Sequence, residues 1–206
     1  MAEVVLFHHA QGLTEGVRAF ADDLRGAGHT VHTPDLYEGR TFDALEDGVD
    51  HGLKVLGVDE VLARGRRAAE GLPAGVVYAG FSLGTLPAQA LAQTKAGARG
   101  ALFFHGGEPP ADFGSPWPDE LPLQVHWMEG DPWYEPEQTR LLLDAVPGAE
   151  LFLYPGEGHL FADRSLGDYD EAAAALLTAR VLDFLGAPPP APPTPDAPAP
   201  DAPAPG

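Results

Sequence analysis

Apolar residues follow two rhythms along this chain. Short runs dense in Val, Leu, Phe and Tyr recur at 3–8, 30–33, 75–81, 100–105, 122–128 and 149–154. Each is bounded by charged or turn-forming residues, which predicts strands. Between several of them the apolar spacing lengthens to three or four. In 14–27, Val17, Phe20, Ala21 and Leu24 share one side, with Thr14 placed to cap and Gly26 and Gly28 to stop. In 53–71, Val58, Val61, Leu62 and Gly65 line one side while Arg64, Arg66 and Arg67 face water. A further helix follows at 86–94, and the last runs from Asp168 to Leu185 and stops at Gly186. Strands alternating with helices predict an α/β protein built on a mostly parallel sheet of about six strands, with helices on both faces. Residues 35–52 and 105–121 are richer in Gly, Pro and Asp and read as the long loops in which such folds keep their sites. No internal repeat is visible.

Composition changes this picture at one end and at the surface. Apart from Thr194, Asp196, Asp201 and Gly206, residues 187–206 are proline and alanine. Nothing there is large enough to bury, so 187–206 reads as a disordered, semi-extended tail and 1–186 as one domain. The tail lacks the flanking Arg or Lys of proline-rich ligands, which favours a solubilising role. The chain has 12 Lys and Arg against 31 Asp and Glu, a formal net charge of −19. Such a surface repels phosphate backbones and anionic lipid, which argues against nucleic acid or membrane as the main partner. Cysteine is absent, excluding disulfides, thiolate catalysis and cysteine-held metals. Met1-Ala2-Glu3 before the brief run Val4–Phe7 lacks the basic start and long apolar core of a signal peptide. No stretch approaches the ~20 apolar residues of a membrane span. A soluble cytoplasmic protein is expected.

Gly80-Phe81-Ser82-Leu83-Gly84 follows a predicted strand and precedes a predicted helix, the context of a nucleophile elbow. The sharp turn lifts the Ser82 hydroxyl above the sheet, and the amide of Leu83 at the helix start can stabilise a developing oxyanion. A second donor is expected from the loop after the first strand. A serine hydroxyl needs a base to take its proton and an acid to orient that base. Asp131 leaves the end of the fifth run and His159 the end of the sixth, and strand ends on one side of a parallel sheet converge. Glu129 is the rival acid. His8, His9, His105 and His126 invite a metal reading, but no ligand spacing supports it, and none is expected.

Several segments resemble the dienelactone hydrolase family of α/β-hydrolases. Pro34-Asp35-Leu36-Tyr37 is similar to the family's PDLY segment, Gly158-His159-Leu160-Phe161-Ala162 to its GHxFA, and Ala172 to Leu185 to its closing helix. The resemblance covers most of residues 3–187 and implies an α/β-hydrolase fold shortened at its N-terminus. Carried over by position, the nucleophile falls on Ser82, the acid on Asp131, the base on His159 and the second oxyanion amide on Ala10. Well-known members use a cysteine nucleophile restrained by a glutamate; here Ser82 and His9 occupy those positions. The position after GHxFA, an arginine that binds a substrate carboxylate in those members, is Asp163, with Arg164 one step on. This implies that an anionic lactone is repelled and that dienelactone is not the substrate. Tyr37, Trp117, Trp133 and Tyr134 lie on predicted loops near the expected pocket mouth, and His9, Tyr37 and Trp133 are the candidate substrate-binding residues.

The expectation is therefore a serine hydrolase acting on a small ester, lactone or thioester, without cofactor or metal, at a rate that rises with pH from about 6 to 8 as an imidazole base becomes neutral. Passing the acyl group to an alcohol or thiol uses the same residues. A catalytically silent ligand-binding member of the fold is the reading from another class. The sequence leaves oligomeric state open.

Overall fold

The computed structural model of the protein describes residues 1–186; the tail reading of 187–206 lies outside the described residues. Each apolar run forms a strand: β1 (Glu3–Phe7), β2 (Thr30–His32), β3 (Val76–Phe81), β4 (Gly100–Phe104), β5 (Leu123–Met128) and β6 (Glu150–Tyr154). They make one sheet in the order β2-β1-β3-β4-β5-β6, with every pairing parallel.

Successive side chains of a strand point to opposite faces, and here both faces are covered. Val4, Leu6, Val77, Ala79, Leu102 and Phe104 form one core with Val17, Phe20 and Leu24 of α1 (Glu15–Gly26) and Leu177 and Val181 of α6 (Glu171–Gly186). Val5, Phe7, Tyr78 and Phe103 form the other with Val61 of α3 (Val58–Ala68), Leu91 of α4 (Thr85–Thr94) and Leu142 of α5 (Pro136–Ala145). This double burial is why the central strands read as unbroken apolar runs. Thr14 caps α1 as its position suggests, its Oγ1 accepting from the Val17 N–H at 3.2 Å. The architecture is that of the α/β-hydrolase fold.

Three stretches depart from the sequence reading. Residues 35–52, read as loop, contain α2 (Leu45–Asp50), which continues into a π-helical turn at His51–Leu56. The predicted helix 53–71 is correspondingly broken at Gly57, whose φ of 84° no helix accepts, and resumes as α3. The cause is tertiary. A Cβ at Gly48 would lie 2.2 Å from the Ala10 carbonyl oxygen, and one at Gly52 would lie 2.4 Å from the Tyr37 hydroxyl. Gly48 thus lets α2 press against the loop after β1, and Gly52 lets the turn that follows press against Tyr37, contacts that apolar periodicity does not record. Val58, placed on the buried side by its spacing, is exposed. α5 was not singled out by apolar spacing; its signals are Pro136 in the first turn and buried Thr139 and Leu142.

The strand order fixes where a ligand can bind. From β1 the chain moves outward to β2, then returns to place β3 on the other side of β1, so the order reverses between β1 and β3. Crevices in open parallel sheets form beyond the carboxyl ends of strands at such a reversal. Ser82 directly follows β3, and Ala10 lies just after β1.

Candidate active site

The turn after β3 is held by contacts that only glycine permits. A Cβ at Gly80 would lie 2.1 Å from the Gly84 carbonyl oxygen, and one at Gly84 would lie 2.6 Å from that of Phe7. With the positions two residues before and after it stripped to backbone, Ser82 is held at φ 47°, a left-handed conformation uncommon for a residue with a side chain. Thr85 secures the turn by donating from Oγ1 to the Ser82 carbonyl at 2.7 Å.

Ser82 Oγ lies 2.9 Å from His159 Nε2, and His159 Nδ1 lies 2.8 Å from Asp131 Oδ2. Asp131 can only accept, so Nδ1 carries the hydrogen and Nε2 accepts from the serine hydroxyl. The other Asp131 oxygen accepts from the Trp133 N–H at 2.8 Å, which fixes the carboxylate in turn. Glu129, the rival acid, is exposed and makes no side-chain hydrogen bond to His159 among the described residues. The structure therefore brings Ser82, His159 and Asp131 into one hydrogen-bonded line from residues far apart in sequence. The arrangement can polarise a hydroxyl and receive its proton.

Leu83 lines the cavity above Ser82. Ala10 is wholly buried against Gly48, and its N–H meets no acceptor among the described residues. His9, next to it, is buried and outside the cavity lining. It donates from Nε2 to Asp163 Oδ2 at 2.8 Å and accepts at Nδ1 from the Gln11 N–H at 3.2 Å. Asp163 also accepts from Thr14 Oγ1 and from both the N–H and Oγ of Ser165. Burial alone would raise its pKa, but these donors, His9 first, outweigh it and bring the carboxyl down to about 2. The expectation that Asp163 repels an anionic substrate is corrected accordingly: its carboxylate faces the start of α1, not the cavity. Arg164 turns outward to Asp23.

Tyr37 also stands apart from the cavity. It is buried, donates from its hydroxyl to the Gly48 carbonyl at 3.2 Å, and burial pushes its phenol up to about 12. Its segment is tied to β1 by His8, whose Nδ1 donates to the His9 carbonyl at 2.7 Å while Nε2 accepts from the Leu36 N–H at 3.0 Å. Trp117 packs on Phe103 and donates to the Leu121 carbonyl, again outside the lining. Of the aromatic candidates, Trp133 does line the cavity, half exposed, with its ring centroid 5.6 Å from that of His159.

The cavity encloses about 220 Å³. One wall is apolar, made by Val49 and Leu53 of the α2 segment and Leu86 of α4; the other carries Glu108, Glu135 and Gln138. His105 and Trp127 close the side near His159. His105 has φ 58° and neither ring nitrogen has a partner; burial, reinforced by His159 and His126, holds its pKa well below the ordinary value. The sequence reading missed Glu108, Glu135 and the apolar wall. Pro136 marking a helix start is the available signal for Glu135, and the helical spacing of Leu45, Val49, Leu53 and Leu56 is the one for the apolar wall.

The chain matches the model of the Dienelactone hydrolase family over residues 1–188. No curated protein matches it. Similar solved structures include a dienelactone hydrolase-like promiscuous phosphotriesterase, P91, from metagenomic libraries. It is 22% identical over 90% of this chain and 85% of that one, with a TM-score of 0.72. A provisionally assigned dienelactone hydrolase from Klebsiella pneumoniae is 20% identical over 90% and 86%, with a TM-score of 0.64. A cold-adapted esterase from an Arctic intertidal metagenomic library is 17% identical over 89% and 82%, with a TM-score of 0.59. These structures share the fold described above, and the family match spans all of the described domain: the chain belongs to the dienelactone hydrolase family.

Proposed function

We propose that the protein is a serine hydrolase that cleaves a small ester, lactone or thioester through an acyl-serine intermediate. The observation that carries this reading is the line from Ser82 Oγ through His159 to Asp131, seated on a strained turn at the floor of a cavity. Ser82 attacks the acyl carbon as His159 Nε2 takes its proton, and the same proton passes to the departing alcohol or thiol. Water, deprotonated by His159, then attacks the acyl-enzyme and restores Ser82. Asp131 holds the imidazole in the required tautomer and balances its transient charge. The amides of Leu83 and Ala10 are the donors assigned to the tetrahedral oxyanion.

Dienelactone is not the substrate in this reading. Its carboxylate needs a cationic partner, and no Lys or Arg lines the cavity among the described residues. The test compares the protein with Ser82→Ala on p-nitrophenyl esters of short acids, with a serine-reactive phosphonate and mass spectrometry reporting covalent capture. Turnover and a phosphonate adduct on Ser82 are expected, both lost in the variant, with kcat/KM falling by at least about 10³-fold. Absence of both in folded wild-type protein rejects the reading.

A further inference from the structure

The polar wall of the cavity carries charge for which hydrolysis itself has no use. Glu108 lies on the loop after β4 and Glu135 at the start of α5, and both line the cavity. Neither has an ion-pair partner among the described residues, and no Lys or Arg shares the lining. Their placement is built into the fold. The Glu108 backbone is clamped by the fully buried Gln89, which accepts from its N–H at 3.0 Å and donates to its carbonyl at 2.6 Å. Glu135 stands at the N-cap of α5, yet its side chain makes no capping bond, so its carboxylate is not consumed by the helix.

Two further features point to a ligand in the same space. The buried side chains of His105 and Trp127 line the cavity, and their ring nitrogens, themselves buried, find no partner among the described residues. Trp133 stands half exposed at the rim, its indole available for a cation to rest against. Burial, with Glu135 and Asp112 adding to it, raises the Glu108 carboxyl, a cost that a neighbouring positive charge reverses. The net charge of −19 adds long-range attraction for cations.

We propose that the cavity selects esters bearing an ammonium group, held by Glu108, Glu135 and the Trp133 ring while the apolar part rests against Val49, Leu53 and Leu86. The reaction rests on the acyl-serine reading above; the binding does not. An anionic substituent meets two unpaired carboxylates and is disfavoured.

The probes are acetylcholine and 3,3-dimethylbutyl acetate, which have nearly the same shape and differ by the charge on the central atom. In wild-type protein at low ionic strength, kcat/KM is expected to favour acetylcholine by about tenfold or more, a preference weakened by salt. In E108Q/E135Q the ratio of the two values falls toward one. Equal or reversed preference in wild-type protein, with both esters cleaved through Ser82, overturns the ammonium site and leaves the hydrolase reading standing. If neither ester is cleaved and no phosphonate adduct forms, the hydrolase reading fails, and calorimetry with choline against 3,3-dimethylbutanol on Ser82→Ala protein decides the site alone. Saturable choline binding that is lost with E108Q/E135Q supports it; equal or absent binding of the two alcohols rejects it.

Discussion

Asp131 and Glu129 stand two residues apart at the end of one strand, and geometry rather than chemistry separates them. Only Asp131 reaches His159, and its second oxygen is locked by the Trp133 N–H. Asp131→Asn is therefore expected to retain the fold and lose about 10³- to 10⁴-fold in kcat, since an amide can hold the wrong tautomer of the base. Glu129→Gln, altering an exposed side chain, is expected to retain full activity; steady-state kinetics on one p-nitrophenyl ester checks both. The convergence of Ser82, Asp131 and His159 is legible because elbow chemistry demands particular residue types in a particular local setting. Asp163 was misjudged for the converse reason. Adjacency to His159 along the chain says nothing about where its side chain points, and the donors that claim it, His9 and Thr14, lie in the first strand's loop and the cap of α1. Tyr37 was likewise visible as an aromatic on a loop, but its burial depends on α2, which the sequence reading did not contain.

The elements that escaped that reading are those whose apolar spacing is interrupted and whose position is set by contact. The four central strands are legible because burial on both faces writes itself as dense apolar runs, and the edge strands β2 and β6, only partly buried, still show as short apolar runs. The α2 segment does carry apolar residues at helical spacing, Leu45, Val49, Leu53 and Leu56, but two glycines and several acidic residues interrupt them, and its position depends on Gly48 and Gly52 lying against Ala10 and Tyr37. Adding a methyl group at Gly48 forces the segment away from a backbone oxygen that cannot yield, and shifts Ala10, whose amide is assigned to the oxyanion. Gly48→Ala is expected to cost about 1–3 kcal/mol of stability. It should also lower kcat by about 10- to 100-fold, the scale of a misplacement near 1 Å. Urea denaturation and single-turnover acylation measure the two separately; unchanged acylation removes Ala10 from the proposed mechanism.

Across the whole molecule, buried histidines tie stability to pH. Burial lowers His8 to about 4 and His126 to about 3, and it holds His105 well below the ordinary value of 6.5. His8 has a further reason to stay neutral, because its Nε2 accepts from the Leu36 N–H. Below pH 6.5 the unfolded chain gains protons at these sites while the folded chain does not. Their contribution is thus complete above that pH and is lost as pH falls toward 4 and then 3. At pH 4.5 the loss is about 2–3 kcal/mol for each of His8 and His126. The urea midpoint should fall steadily from pH 7 to 4.5, and a flat profile contradicts the neutral assignment. Asp163 acts lower on the scale: its contribution is present above 3.8 and disappears as pH passes through about 2. The same carboxylate joins distant parts of the chain, since His9 and Asp163 are 154 positions apart. His159 sits four residues before that clasp, among the last parts of the domain to be synthesised. If His159 is the base proposed above, a nascent chain that has already made Ser82 and its turn still lacks it, and reactivity waits until the loop after β6 and the last helix close onto the region of the first strand.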